Sequence, residues 1–126
     1  MKLEKVLIID DSSTSRMIIQ RCLDIAGFSV AEYHYAENGL DALGIVKVKK
    51  DLDLIITDIN MPKIDGPTFI KVLELDDTGK TIPILVVSSI GDSAMEDELK
   101  ALGVSGIIKK PLSPAKLIET LGGRYE

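Results

Sequence analysis

Three aspartates, one serine and one lysine carry the chemistry open to this chain. Asp10 and Asp11 follow the apolar run Val6–Ile9, Asp58 follows Leu54–Thr57, Ser88 follows Pro83–Val87, and Lys110 comes just after Gly106–Ile108. Each stands at the end of a short apolar segment of the kind that makes a buried strand. Parallel strands would bring all five side chains to one edge of a sheet. Two carboxylates about 4 Å apart repel by roughly 4 kcal/mol at an effective dielectric near 20, so three together must either retain a proton or hold a cation. Oxygen donors with no His or Cys beside them suit a hard divalent ion, and Mg²⁺ with retained waters is the natural choice. Lys110 adds a movable ammonium and Ser88 a hydroxyl. Carboxylate, divalent metal, ammonium and hydroxyl together make a receptacle for a phosphoryl group.

Singly, each residue has a plainer reading. Asp-Asp before a helix is commonly a turn and cap, and a strand-terminal Asp is commonly an Asx turn. Lys before Pro is usually solvated, and Ser88 alone would bond its local backbone. Their joint occurrence at the same end of separate strands favours a site.

The elements that must position them can be read from the pattern. The stretch Leu54-Ile55-Ile56-Thr57, bounded by Asp53 and Pro62, predicts a strand buried on both faces. Ser12, Ser13 and Thr14 cap a first helix carrying Met17, Ile18, Cys22, Leu23 and Ile25 and ending at Gly27. Phe28–Tyr35 holds a second strand with the character of an edge. Asn38-Gly39 opens a second helix with Leu40, Leu43 and Val46 on one face. Asp65-Gly66-Pro67 starts a third that buries Phe69, Ile70 and Leu73 and breaks at Thr78-Gly79-Lys80. Ser93 to Glu96 has capping-box spacing, and Met95, Leu99 and Leu102 make one helical stripe. Ser113-Pro114 begins the last helix, with Leu117, Ile118 and Leu121. Strand and helix alternate throughout. The expected fold is α/β: a five-stranded parallel doubly wound sheet of order 2-1-3-4-5 flanked by five helices, flavodoxin-like. Strands 1 and 3 then sit side by side, and Asp10, Asp11 and Asp58 share one crevice.

Composition bounds the rest. The 126 residues, 45% hydrophobic and 28% charged, suit one domain over 1–126 with no output module expected beyond Glu126. A net charge of −5 without a basic cluster argues against direct nucleic-acid binding. Lys47, Lys49 and Lys50 read as a solvated helix end. Cys22 cannot form an internal disulfide and reads as a buried thiol in a reducing compartment. No signal peptide and no apolar run near 20 residues is visible, so a cytoplasmic protein without membrane insertion is expected. His34 beside Tyr33 and Tyr35 reads as structural or solvated. No G-x-G-x-x-G or P-loop supports nucleotide binding.

Across almost its whole length the chain resembles the receiver domains of two-component response regulators. The resemblance rests on Ile9-Asp10-Asp11-Ser12, Thr57-Asp58-Ile59-Asn60-Met61-Pro62, Asp65-Gly66, Ser88 and Lys110-Pro111. The run Asp11–Arg16 is similar to stand-alone regulators of the chemotaxis type. The resemblance implies a phosphorylation-activated signalling switch rather than a conventional enzyme. Asp58 would be the phosphoacceptor, served by a histidine kinase or a small phosphodonor. Asp10, Asp11, an oxygen of Asp58 and the main-chain carbonyl of Asn60 would hold Mg²⁺. Ser88 would be the switch hydroxyl and Lys110 the ammonium that contacts the phosphate, its bond to Pro111 cis. A downstream target would read the face of helix 4, strand 5 and helix 5. Two positions depart from the family pattern. Ile107 stands where an aromatic reporter is usual, and Ile90 where many members are polar. The readout is therefore expected in the loop Ser89–Asp92 and the start of helix 4. Two further readings are a degenerate receiver acting as a constitutive interaction module and a Mg²⁺-dependent aspartyl phosphohydrolase. All five site residues are present, against the first. The haloacid-dehalogenase type of phosphohydrolase places Asp-x-Asp after strand 1, unlike Asp10-Asp11.

Overall fold

Four successive apolar or β-branched residues, Leu54–Thr57, form the central strand, and every one is buried. Such a run has no polar face to turn to water, so it can only lie inside a sheet covered on both sides. The protein, seen in a computed structural model that describes residues 2–49, 51–59, 63–75, 82–89 and 93–122, builds that sheet around it. In chain order the elements are β1 (Lys2–Ile9), α1 (Ser13–Ile25), β2 (Ser29–Ala36), α2 (Gly39–Val48) and β3 (Leu54–Thr57). Then come α3 (Gly66–Leu75), β4 (Ile84–Ser88), α4 (Ser93–Ala101), β5 (Gly106–Lys109) and α5 (Pro114–Leu121). The five strands are parallel in the order β2-β1-β3-β4-β5, as the sequence pattern predicts.

Two apolar layers flank the sheet. One gathers Leu3, Val6, Ile8, Leu54, Ile56, Leu85 and Val87 under α1 and α5. The other gathers Leu7, Ile9, Ile55, Val86 and Phe69 under α2, α3 and α4. Strand alternation divides the residues between the faces. The helix starts are where the cap residues place them. Ser12, Asn38 and Ser113 accept backbone N–H bonds from Ser15, Asp41 and Lys116, and Asp65 Oδ1 accepts one from Thr68 at 2.9 Å. Gly27, at φ 93°, turns the chain out of α1 in the left-handed conformation that costs glycine least.

Three sequence expectations need correction. β1 begins at Lys2 rather than Val6, because Leu3 is buried and Lys2 is already in register with Ser29. In α1 the buried set is Ile19, Cys22, Leu23 and Ala26, while Met17, Ile18 and Ile25 are exposed. Leu40 and Ile118 are likewise exposed, and Ala42 and Val46 carry the packing of α2. A helix resting on a flat sheet buries a stripe narrower than its full set of apolar residues, and the flanking ones face outward. The Met95, Leu99 and Leu102 stripe does pack inward, with Leu99 fully buried. The breaker Thr78-Gly79-Lys80, Met61 and the loop residues Ile90, Gly91 and Asp92 lie outside the described residues, as does the side chain of Ser93. No described helix is long and apolar enough to cross a membrane.

Candidate functional site at the carboxyl edge of the sheet

Register brings the acidic residues together. Ile9 pairs with Thr57, so the next residue on each strand, Asp10 and Asp58, emerges side by side where the sheet stops. The backbone ladder continues one step beyond the strands: Asp58 N–H donates to the Ile9 carbonyl at 3.0 Å, and Asp10 N–H to the Ala36 carbonyl at 3.1 Å. On the far side Ser88 pairs with Lys109, and Lys110 N–H donates to the Ser88 carbonyl at 2.9 Å. One edge thus presents Asp10, Asp58, Ser88 and Lys110.

Each carboxylate has its own setting. Asp10 is 1% exposed, and its Oδ1 accepts a bond from Ser12 N–H at 3.0 Å. Its carbonyl accepts one from Arg16 Nη1 at 2.6 Å. Asp11 is exposed. Asp58 is half-buried, with Oδ1 accepting from Ile59 N–H at 2.6 Å and its carbonyl from Thr57 Oγ1 at 2.8 Å. Gly66 matters to this placement. Its N–H donates to the Ile59 carbonyl at 2.8 Å, and a Cβ there would stand 2.9 Å from Ile59 Cα and 3.0 Å from the Asp58 carbonyl. Any side chain at Gly66 would push against the backbone that aims Asp58.

Lys110 bridges the cluster. Its ammonium lies 3.2 Å from Asp58 Oδ2, 3.4 Å from Asp10 Oδ2 and 3.5 Å from Ser15 Oγ. Burial alone would lower its pKa. The hydrogen bond with Asp58 and the charges of Asp10 and Asp58 outweigh that, so the ammonium is held above its ordinary value. The Lys110–Pro111 bond is cis. Ser88 is buried at the end of β4, 2% exposed.

The donor set fits a hard cation. One carboxylate oxygen from each of Asp10, Asp11 and Asp58 lies within 4.8 Å of the others. Adjacent ligands of an octahedral ion with bonds near 2.1 Å are roughly 3.0 Å apart, so the three carboxylates would draw closer around such an ion. Asn60, expected to add a carbonyl, falls outside the described residues.

Sequence reasoning overlooked Ser15 and Arg16. The N-terminal turn of α1 starts directly over the end of β1, so a polar residue one turn past Asp10-Asp11 faces the same crevice. That proximity to the strand end was the available signal. His34 takes no part: it is half-buried on β2 and pairs with Glu32 at 2.8 Å.

Comparisons with known proteins show the family and agree with the fold. Residues 6–122 match the family model described as the response regulator receiver domain. The chemotaxis protein CheY-3 of Vibrio cholerae is 36% identical over 122 residues, covering 97% of this chain and 92% of that protein. CheY1 of Helicobacter pylori is 35% identical over 117 residues, covering 93% of each. Among solved structures, the Vibrio cholerae chemotaxis protein CheY4 superposes with a TM-score of 0.80 at 34% identity, covering 96% of this chain and 98% of that one. A Borrelia burgdorferi CheX-CheY-BeF₃-Mg²⁺ complex matches with a TM-score of 0.81 at 26% identity, covering 97% and 89%.

Proposed function

The chain belongs to the response regulator receiver family, and on that premise we propose that it is a single receiver domain over residues 1–126 that accepts a phosphoryl group on Asp58. The observation that carries the proposal is the convergence of Asp10, Asp11 and Asp58 with the Lys110 ammonium at 3.2 Å from Asp58 Oδ2. A histidine kinase, or a small phosphodonor, supplies the group. A carboxylate oxygen of Asp58 attacks phosphorus, the bond to the leaving group breaks, and an acyl phosphate remains on Asp58.

The chain's own residues prepare that step. The Ile59 N–H holds one Asp58 oxygen, which fixes the carboxylate's rotation. Lys110 moves its ammonium from the two carboxylates to the incoming phosphoryl oxygens, where charge grows in the transition state. Ser88 gives its hydroxyl to another of those oxygens. Asp10, Asp11 and Asp58, with the Asn60 carbonyl that the family resemblance implies, would hold Mg²⁺. When bound, the ion offsets their mutual repulsion and the negative charge of the phosphoryl group.

The phosphorylated chain then presents a changed face of α4, β5 and α5 to a downstream target. A groove of about 250 Å³ between α4 and β5, lined by Glu96, Lys100, Val104 and Ile107 among others, supports that choice of face. The complex of CheY with CheX in Borrelia burgdorferi is a precedent for partner binding by a relative. We place this activity in the cytoplasm.

Incubation with Mg²⁺ and a small phosphodonor such as acetyl phosphate, followed by intact mass measurement, tests the reading. One phosphoryl adduct in the wild type and none in Asp58→Asn is expected. An adduct formed at the wild-type rate in Asp58→Asn overturns the assignment. Absence of any adduct would favour a constitutive interaction module, and sustained phosphodonor turnover a phosphohydrolase.

A further inference from the structure

The sheet has two outer strands, and they end it differently. β5 is 4 residues long, and Lys116 Nζ caps its Lys109 carbonyl at 3.2 Å. β2 is 8 residues long and pairs with β1 from Lys2↔Ser29 to Ile9↔Ala36, the Glu4↔Ala31 step excepted. On its other side no strand joins it among the described residues. Edge strands are ordinarily protected by shortness, Lys, Pro or a bulge. Ser-Val-Ala-Glu-Tyr-His-Tyr-Ala is neither short nor interrupted by Lys or Pro.

Both faces of this strand are ordered. Tyr33 and Tyr35 stack with centroids 6.2 Å apart, and their hydroxyls bond Asp24 and Gln20 of α1. By alternation Glu32 and His34 stand on the opposite face, joined at 2.8 Å. At the same rim Met17, 61% exposed, borders an open groove with Ser13, Arg16, Gln20 and Tyr35.

We propose that the outer edge of β2 pairs antiparallel with β2 of a second copy of this chain, about a two-fold axis through Tyr33 and normal to the sheet. The sequence selects this occupant because it is self-complementary in that register alone. Centred on Tyr33, each Glu32 stands opposite His34 of the other copy, a pairing of carboxylate with imidazole in either protonation state. Moving the centre one residue sets Glu32 against Glu32 or His34 against His34. The two-fold makes each favourable pair occur twice. One added strand pair falls below the roughly 1,200–2,000 Å² of a stable interface, so the dimer is weak and concentration-dependent. It leaves the carboxyl edge and the face of α4, β5 and α5 open in both copies. The inference does not depend on the phosphorylation reading.

Sedimentation velocity on the full chain over a wide concentration range tests it, with the expected result a reversible monomer–dimer equilibrium. His34→Glu sets carboxylate against carboxylate twice and is expected to weaken association by about tenfold or more. Exchanging the two residues, E32H with H34E, restores it. A monomer at every concentration overturns the proposal, as does a His34→Glu variant that associates like the wild type. Oxidative cross-linking checks the register independently of the charge variants. Tyr33→Cys meets itself across the axis and forms a covalent dimer. Ala31→Cys, about 14 Å from its counterpart, does not. Equal cross-linking at both positions would also refute the stated register.

Discussion

Aspartates occupy both ends of the central sheet, and the fold treats them in opposite ways. At the amino end, Asp53 Oδ2 accepts the Glu4 and Lys5 backbone N–H groups at 2.6 and 3.2 Å, and its own N–H donates to the Lys5 carbonyl at 2.8 Å. Asp51 pairs with the Lys5 ammonium. Here carboxylates extend β1 past its apolar run and tie it to the loop before β3. At the carboxyl end, Asp10, Asp11 and Asp58 crowd together around the single ammonium of Lys110 among the described residues. Charge at the first end is matched by local donors and stabilises the native chain. Charge at the second exceeds its partners among the described residues, and a bound cation would relieve it. The same side chain thus serves folding or chemistry according to whether backbone donors or other carboxylates surround it.

Substitutions can break this contrast, and the largest effect belongs at the amino end. Asp53→Ala removes an ionised acceptor from two backbone donors and is expected to cost about 1.5–3 kcal/mol, read as a lower thermal midpoint with or without Mg²⁺. An unchanged midpoint would mean that water replaces Asp53 without loss, and the contrast between the ends would fall.

Lys110→Met should come next, costing about 1–2 kcal/mol in metal-free protein because Asp10 and Asp58 lose their counter-charge and solvent screens the rest. The pH dependence follows from its raised pKa. The folded state binds this proton more tightly than the unfolded state, so the stabilisation is complete below the ordinary lysine value of 10.5. It is lost as pH rises through the higher folded value. The gap between wild type and Lys110→Met should therefore hold steady from neutral pH to about 10 and close above it. A gap that closes near neutrality would assign the effect to another group.

The smallest effect has the opposite sign. Asp11→Asn relieves repulsion at an exposed position and should raise metal-free stability by up to about 1 kcal/mol, read as a higher thermal midpoint. Saturating Mg²⁺ should abolish the advantage, because the wild type gains a ligand that the variant binds less well. A midpoint unchanged or lowered without metal would show that the three carboxylates do not strain the apo fold.

Much of the architecture was legible in the chain. Short apolar runs ending in polar residues, separated by capped helices, leave few alternatives to a parallel doubly wound sheet. The caps Ser12, Asn38, Asp65 and Ser113 were readable because capping is a local bond between a side chain and an N–H two or three residues on. Helix faces were less legible. Met17, Ile18 and Ile25 are as apolar as Ile19 and Leu23, and helical spacing alone gives no sign of which flank meets the sheet. The start of β1 was hidden for a related reason. Lys2 and Glu4 read as polar, and the backbone bonds from Asp53 that hold this end come from 48 and 49 residues away.

The site divides along the same line. Residue types and their places at strand ends were enough to single out Asp10, Asp11, Asp58, Ser88 and Lys110, because a strand's last residue lies at the sheet edge whatever its neighbours are. Distances were not contained there. That Lys110 sits 3.2 Å from Asp58 and 3.4 Å from Asp10, that Ser15 joins them at 3.5 Å, and that Gly66 lies against the backbone of Asp58 and Ile59 all follow from strand order and helix placement. Composition and periodicity act within about one turn or one strand, and they determine which groups reach the edge. The tertiary structure decides which of those groups touch, because contacts between residues 52 or 100 positions apart depend on the order in which the strands pair.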